Sequence, residues 1–156
     1  MPEDVTTLPT LPCACASLRR AARAVSHLYD EELRATGLRA TQFTLLQVLS
    51  RTRGRAMTQS DLADVLAIDT TTLSRTLQPL ERAGWIRAES GEDKRALHWT
   101  ITRAGERRLA STLPAWEAAQ RRLRNRLGAE RFQGMLAELA SVAQVTRSEE
   151  RIPRIQ

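Results

Sequence analysis

Lysine is nearly missing from this chain. Lys94 is the single one among 24 lysines and arginines, a bias we read as compositional. Cysteine is scarce as well: Cys13 and Cys15 are the only two. One close pair without a second makes no zinc framework, and the two histidines, His27 and His98, add no ligand-rich segment. No metal site or cofactor is expected. No stretch approaches the roughly 20 apolar residues that a membrane span needs. Residues 1–12 are rich in proline and threonine and lack the basic segment and apolar run of a secretory signal. There is no glycine-rich phosphate loop and no nucleophile motif. These absences point away from enzymes and membrane proteins, towards a cytoplasmic protein whose cysteines are thiols at rest.

What is present fits a globular, basic domain. The 156 residues are the length of one domain, and 42% are hydrophobic, enough for a real core. The formal net charge is +6 and the pI about 10.8. That balance suits a phosphate-rich partner, whose binding weakens as salt rises.

The most informative stretch runs from Thr58 to Thr102. Thr58 followed three positions later by Asp61 is a weak capping box, and Leu62, Ala63 and Leu66 mark the apolar face of a short helix. Ala67-Ile68-Asp69 is a turn, from which Asp69 or Thr70 can cap the next helix. That helix places Leu73, Leu77 and Leu80 on one side and Thr71, Thr72, Ser74, Arg75 and Gln78 on the other. Gly84 ends it. Small hydroxyls permit close approach to a groove; Arg75 can pair with guanine and Gln78 with adenine. The plain alternative is a helical hairpin with a solvated polar face. Pro79 inside the second helix predicts a kink or break near Arg75 to Leu77.

After Gly84 the period changes from helical to alternating. Trp85 to Glu89 and Leu97 to Thr102 read as two strands, with Leu97, Trp99 and Ile101 on one face. Between them lies a charged tip, Ser90 to Ala96. Arg95, with Lys94 beside it, suits a minor groove, and Asp93 can hold Arg95 extended. The alternative is a solvated turn. Trp85 and Trp99 are expected to pin this hairpin to the helices, and His98 to lie opposite Trp99.

The remainder reads as long helices. The first runs from about Cys13 to Ala35 and is closed by Gly37; the second spans Ala40 to Arg51, leading into a basic loop at Arg51 to Arg55. From Arg103 the chain is helical, bent at Pro114 and broken at Gly128. Phe132, Met135, Leu136, Leu139, Val142 and Val145 form a second apolar stripe. This surface exceeds what one small domain needs, which suggests a symmetric dimer. Arg147 to Gln156 reads as a frayed tail.

In order and spacing, TQSDLADVL, TTLSRTLQPLERAGW, the DKR of the tip and LHWTITRAG resemble the winged helix of the MarR family of bacterial transcriptional regulators. The resemblance implies a mainly α fold with a small β-hairpin: a winged helix-turn-helix flanked by long N- and C-terminal dimerisation helices. On it, residues 1–12 are a flexible arm and 13–156 a single MarR-type domain. Residues 13–36 and 103–146 are the dimerisation helices, and 40–102 the winged-helix lobe. It further implies a homodimer on palindromic double-stranded DNA, usually a repressor, released by a ligand such as a small aromatic effector or by oxidation. Thr70, Thr71, Thr72, Ser74, Arg75, Gln78, Asp93, Lys94 and Arg95 are the candidate DNA contacts.

Cys13 and Cys15 open the first helix beside Arg19, Arg20 and Arg23, conditions that suit a reactive thiol. The stretch CASLRRAARAVSHLYDEEL is similar to the first helix of the organic-hydroperoxide-sensing branch of that family. There a cysteine at the position of Cys15 is oxidised, with a tyrosine matching Tyr29 nearby from the other subunit. Within one helix Cys15 and Tyr29 would lie about 21 Å apart, so they meet only across a dimer. A second tyrosine of that branch is replaced here by Arg19, and Cys13 is an addition that can act as a resolving thiol. The competing readings of the cysteines are two small apolar residues at a dimer seam and metal or metalloid binding; those of the chain are a thiol-based peroxide-reducing enzyme and a helical adaptor that binds no DNA.

Overall fold

The computed structural model describes residues 12–52, 54–90 and 97–146. The proline- and threonine-rich arm, except Pro12, and the tail from Arg147 lie outside the described residues. Helix α1 spans Ala14–Leu33 and passes through a short 3-10 turn at Arg34–Thr36. Gly37 then takes a left-handed conformation, φ 72°, which glycine adopts without steric cost. The chain reverses into α2, Ala40–Arg51. The first N–H groups of that helix are met from two places: Asp30 of α1 accepts from Ala40 N–H at 2.7 Å, and Gln42 Oε1 from Arg39 N–H at 2.9 Å.

A two-residue strand β1, Met57–Thr58, precedes α3, Gln59–Leu66. Thr58 and Asp61 cap reciprocally: Thr58 Oγ1 accepts from Asp61 N–H at 3.1 Å, and Asp61 Oδ2 from Thr58 N–H at 3.3 Å. Ala67 makes the turn with φ 52°, a left-handed angle unusual for a residue with a Cβ. Helix α4, Thr70–Arg82, then leads through Gly84 (φ 71°) to strands β2, Ile86–Ser90, and β3, Leu97–Ile101. Leu45, Leu46 and Leu49 of α2 close on Leu62, Leu73, Leu77, Leu80, Ile86 and Trp99 in one buried cluster. The alternating apolar residues of three helices and a sheet thus share one core.

Two expectations are corrected, the number of strands and the break at Pro79. The sheet has three strands in the order β1-β3-β2, because Met57 and Thr58 pair antiparallel with Trp99 and His98. Two residues are too short to carry an alternating pattern, so only the partner strand reveals them. Leu97 shares the face of Trp99 by the period of the strand and is 48% exposed, at its open end. Pro79 does not break α4, which runs unbroken from Thr70 to Arg82. The carbonyl that loses its i+4 donor belongs to Arg75, an exposed residue, where water can replace the bond. Pro114 lies inside α5, Arg103–Leu127, and the carbonyl that loses its donor there is that of exposed Ala110.

Helix α5 lies along α1 and α2. Phe43 stacks on Trp116 with ring centroids 5.8 Å apart. Arg122 reaches two carboxylates of α1, Glu31 at 2.9 Å and Glu32 at 3.0 Å. Gly128 alone separates α5 from α6, Ala129–Val145. Among the described residues no helix is long and apolar enough to cross a membrane.

Among the described glycines, Gly105 has the least room. A Cβ there would run into the carbonyl oxygen of Trp85 and crowd Ile101. Gly105→Ala should therefore cost about 1–3 kcal/mol by overpacking. Gly134→Ala on α6, where nothing stands within 4 Å, should be neutral or stabilising by up to about 1 kcal/mol. Urea unfolding of the two variants beside the parent checks the contrast.

Candidate nucleic-acid interface

Helix α4 buries one face and offers the other. Leu73, Leu77 and Leu80 are fully enclosed, and Thr76 is buried with its hydroxyl on the Thr72 carbonyl at 2.9 Å. Thr70, Thr71, Thr72, Arg75 and Gln78 are exposed, and Ser74 is half-buried. Arg75 and Gln78, three positions apart, share one side of the helix, with Thr71 one turn before Arg75.

The hydroxyls are not equally free. Asp69 caps α4 by accepting from Thr72 N–H at 2.9 Å, and the Thr72 hydroxyl donates to the same carboxylate at 2.6 Å. These bonds, the side-chain one first, hold the Asp69 carboxyl below its usual range. Thr72 is thus part of the cap before it is part of any contact. Ser74 donates to the Thr70 carbonyl at 2.9 Å and accepts from Gln59 Nε2 at 2.8 Å. Of the hydroxyls expected on this face, those of Thr70 and Thr71 carry no protein hydrogen bond among the described residues.

Asp93, Lys94 and Arg95 lie outside the described residues, so the tip of the hairpin is not placed. Its stem is. Arg87 projects from β2, exposed, with Nε 2.9 Å from Glu89 and 3.2 Å from the Thr100 hydroxyl. Trp99 is buried in the sheet, and His98 beside it is half-buried. Trp85 packs under the guanidinium of Arg108, 4.8 Å from the ring centroid, and so pins the hairpin to α5. Gln59 and Arg87 were outside the expected set. Gln59 was signalled only by its place directly after a helix cap, and Arg87 only by charge in an alternating strand.

Cys13 precedes α1 and Cys15 sits in its first turn; both are exposed and unbridged. Arg19 Nη2 donates to Cys15 Sγ at 3.6 Å. Tyr29 lies in the same helix, half-buried, its phenol pushed above the ordinary range by burial. The structure of one chain does not bring Tyr29 to the cysteines. A groove of about 400 Å³ runs between α1 and α5, lined by Val25, Leu28, Leu123 and Leu127 with Glu31 and Arg122 at its polar edge.

The arrangement is a helix-turn-helix whose second helix turns a polar face outward, followed by a pinned hairpin. The MarR family model matches residues 36–96. Among solved structures, the M. tuberculosis transcriptional regulator MosR in complex with DNA is 34% identical, with a TM-score of 0.70 over 87% of this chain and 99% of that one.

The chain belongs to the MarR family.

A second crystal structure of M. tuberculosis MosR agrees: 33% identity and a TM-score of 0.73 over 86% of this chain and 97% of that one. The Bacillus subtilis HTH-type transcriptional regulator YwoH is 33% identical over 91 residues, 58% of this chain and 65% of that protein. The transcriptional repressor MprA of Escherichia coli is 35% identical over 86 residues, 54% of this chain and 49% of that protein. The match therefore spans about two thirds of one curated relative and about half of the other. As a MarR family fold, the molecule has a mainly α architecture with a winged helix, as its residue patterns imply.

The Asp69 cap yields a pH signature. Its folded carboxyl titrates below the unfolded one, so its contribution is complete above the ordinary aspartate range and is lost as pH falls through the lowered folded value. Asp69→Asn can still cap through its amide oxygen. It should leave stability near pH 7 little changed and flatten the acid-side loss below about pH 4, read from thermal unfolding midpoints across that range.

Proposed function

We propose that this MarR family protein is a homodimeric, cytoplasmic regulator of transcription, a repressor that binds palindromic double-stranded DNA. The observation that carries the reading is the outward polar face of α4, with Arg75 and Gln78 exposed opposite three buried leucines. Arg75 reads guanine and Gln78 adenine in the major groove. Thr70, Thr71 and Thr72 approach the backbone, and Arg95 with Lys94 reaches the flanking minor groove. Support comes from MosR, a relative solved in complex with DNA, and repression is the named activity of MprA.

The dimer reading rests on apolar surface. Leu136, Leu139, Val142 and Val145 recur along α6 and are 38–80% exposed, as are Leu18 on α1 and Leu113 on α5 at 38%. A contiguous stripe of this kind is costly on a monomer. Two copies joined through residues 13–36 and 103–146 would present their 40–102 lobes to successive major grooves, about 34 Å apart.

Release by thiol oxidation is supported by exposure of both cysteines and by Arg19 at Cys15 Sγ. An organic hydroperoxide would oxidise the Cys15 thiol to a sulfenic acid and leave as the alcohol. Condensation with Cys13 would then form a disulfide and expel water. Tyr29 of the other subunit would line the site. The second reading is a small aromatic ligand, favoured by the partly apolar α1–α5 groove, whose volume falls in the range of ligand pockets.

Fluorescence anisotropy on duplex from the region upstream of its own gene tests the main reading. Arg75→Ala should weaken binding by about 1–3 kcal/mol and relax base preference, and Arg95→Ala should weaken it without relaxing the central bases. Leu139→Glu with Val142→Glu should give a monomer that no longer holds the palindrome. A parent protein that binds this duplex no better than a scrambled one overturns the assignment. For the trigger, cumene hydroperoxide should release DNA from the parent and not from Cys15→Ser. Release that persists in both Cys15→Ser and Cys13→Ser removes the thiols from the mechanism.

A further inference from the structure

Outside their hydrophobic contact, α3 and α4 are joined by a polar relay. Gln59, the first residue of α3, donates from Nε2 to Ser74 Oγ at 2.8 Å, and Ser74 Oγ lies 2.9 Å from the Thr70 carbonyl. The directions are forced. A carbonyl only accepts, so the single hydroxyl proton of Ser74 goes to Thr70. Gln59 must then present its NH₂, not its oxygen. The Gln59 N–H on the same oxygen opposes rotation of that proton away from Thr70, so none is left for a third partner and one lone pair remains; without Gln59 the hydroxyl is free to turn and donate elsewhere.

Ser74 stands half-buried on the outward side of α4, one position from Arg75 and four from Gln78. A free serine is indifferent, because it can donate or accept by rotating. A serine whose proton is committed can only accept. In the major groove the groups that donate are the exocyclic amines, adenine N6 and cytosine N4; guanine O6 and N7 and thymine O4 accept.

We infer that Gln59 is a specificity-determining positioning residue: through Ser74 it selects an amino-bearing base, adenine or cytosine, at one position of each half-site. This rests on the DNA-binding reading above. It goes beyond that reading by assigning a role to a residue of α3 and a direction to a hydrogen bond. An acceptor at this place suits the amine donors of adenine or cytosine; guanine or thymine would set two acceptors against each other, leaving both unpaired.

The test is selection from a randomised duplex pool by the full-length parent, Gln59→Ala, Gln59→Met, Ser74→Ala and Ser74→Thr, with thermal unfolding of each. Gln59→Met keeps the length of the side chain and removes its donor. The parent should prefer adenine or cytosine at one position per half-site by about fivefold or more. Gln59→Ala, Gln59→Met and Ser74→Ala should lose that preference at that position alone, with the other positions unchanged. Ser74→Thr, which keeps the hydroxyl, should retain it. Adding Ser74→Ala to Gln59→Met should change nothing further, since the two act through one hydroxyl.

A parental profile kept by folded Gln59→Met overturns the inference and leaves the DNA reading intact. A uniform loss at every position, with the salt dependence unchanged, makes Gln59 a neutral phosphate contact and also overturns it. A parent with no sequence preference overturns both readings.

Discussion

Thr102 holds three pieces of backbone at one point. Its hydroxyl donates to the Gly84 carbonyl at 2.7 Å and accepts from Gly105 N–H at 3.1 Å, while its own N–H donates to the Trp85 carbonyl at 3.0 Å. The end of α4, the end of β3 and the start of α5 are therefore a single joint, and Gly105 is the residue that lets them close. Arg108 over Trp85 reinforces it one turn later. Such a joint leaves α4 no independent orientation. Wherever α5 goes, the outward face of α4 is carried with it, as expected of an interface that shifts between discrete packings.

At its other end α5 is tied to the N-terminal helix. The single guanidinium of Arg122 serves Glu31 and Glu32 together, and its bond holds the Glu31 carboxyl below its usual range. His27 lies 3.3 Å from Glu31 on the solvent side. This tie grips the C-terminal half of α1. The cysteines are at the opposite end, in a stretch of α1 whose buried residues begin only at Leu28. Under the proposed switch, a change at the thiols would be felt first by whatever covers that exposed end, and through it by α5.

Much of this was legible in the residues because the governing interactions are local. Thr58 with Asp61, Asp69 with Thr72 and Gly37 or Gly84 after a helix act within a few positions, so the spacing of side chains is enough to read them. The leucines at 73, 77 and 80 declare a buried face by period alone. What escaped is non-local. The strand at Met57–Thr58 exists through pairing with Trp99 and His98, some 40 positions away by their numbers. Gln59 acquires its role only because folding brings it against Ser74. Pro79 misled for a related reason: its cost depends on whether the orphaned carbonyl meets water, which is a property of the tertiary structure. The charged tip carried a clear pattern, and its residues lie outside those the structure describes.

Gly128 joins α5 to α6 with φ 87° and ψ 148°, a combination that belongs almost solely to glycine. A hinge of one residue has no slack. Inserting or deleting one residue in the helical stretch that follows would turn everything beyond it by about 100°. The row from Leu136 to Val145 would then face sideways, so the register of this corner is as much a part of the surface as the side chains themselves.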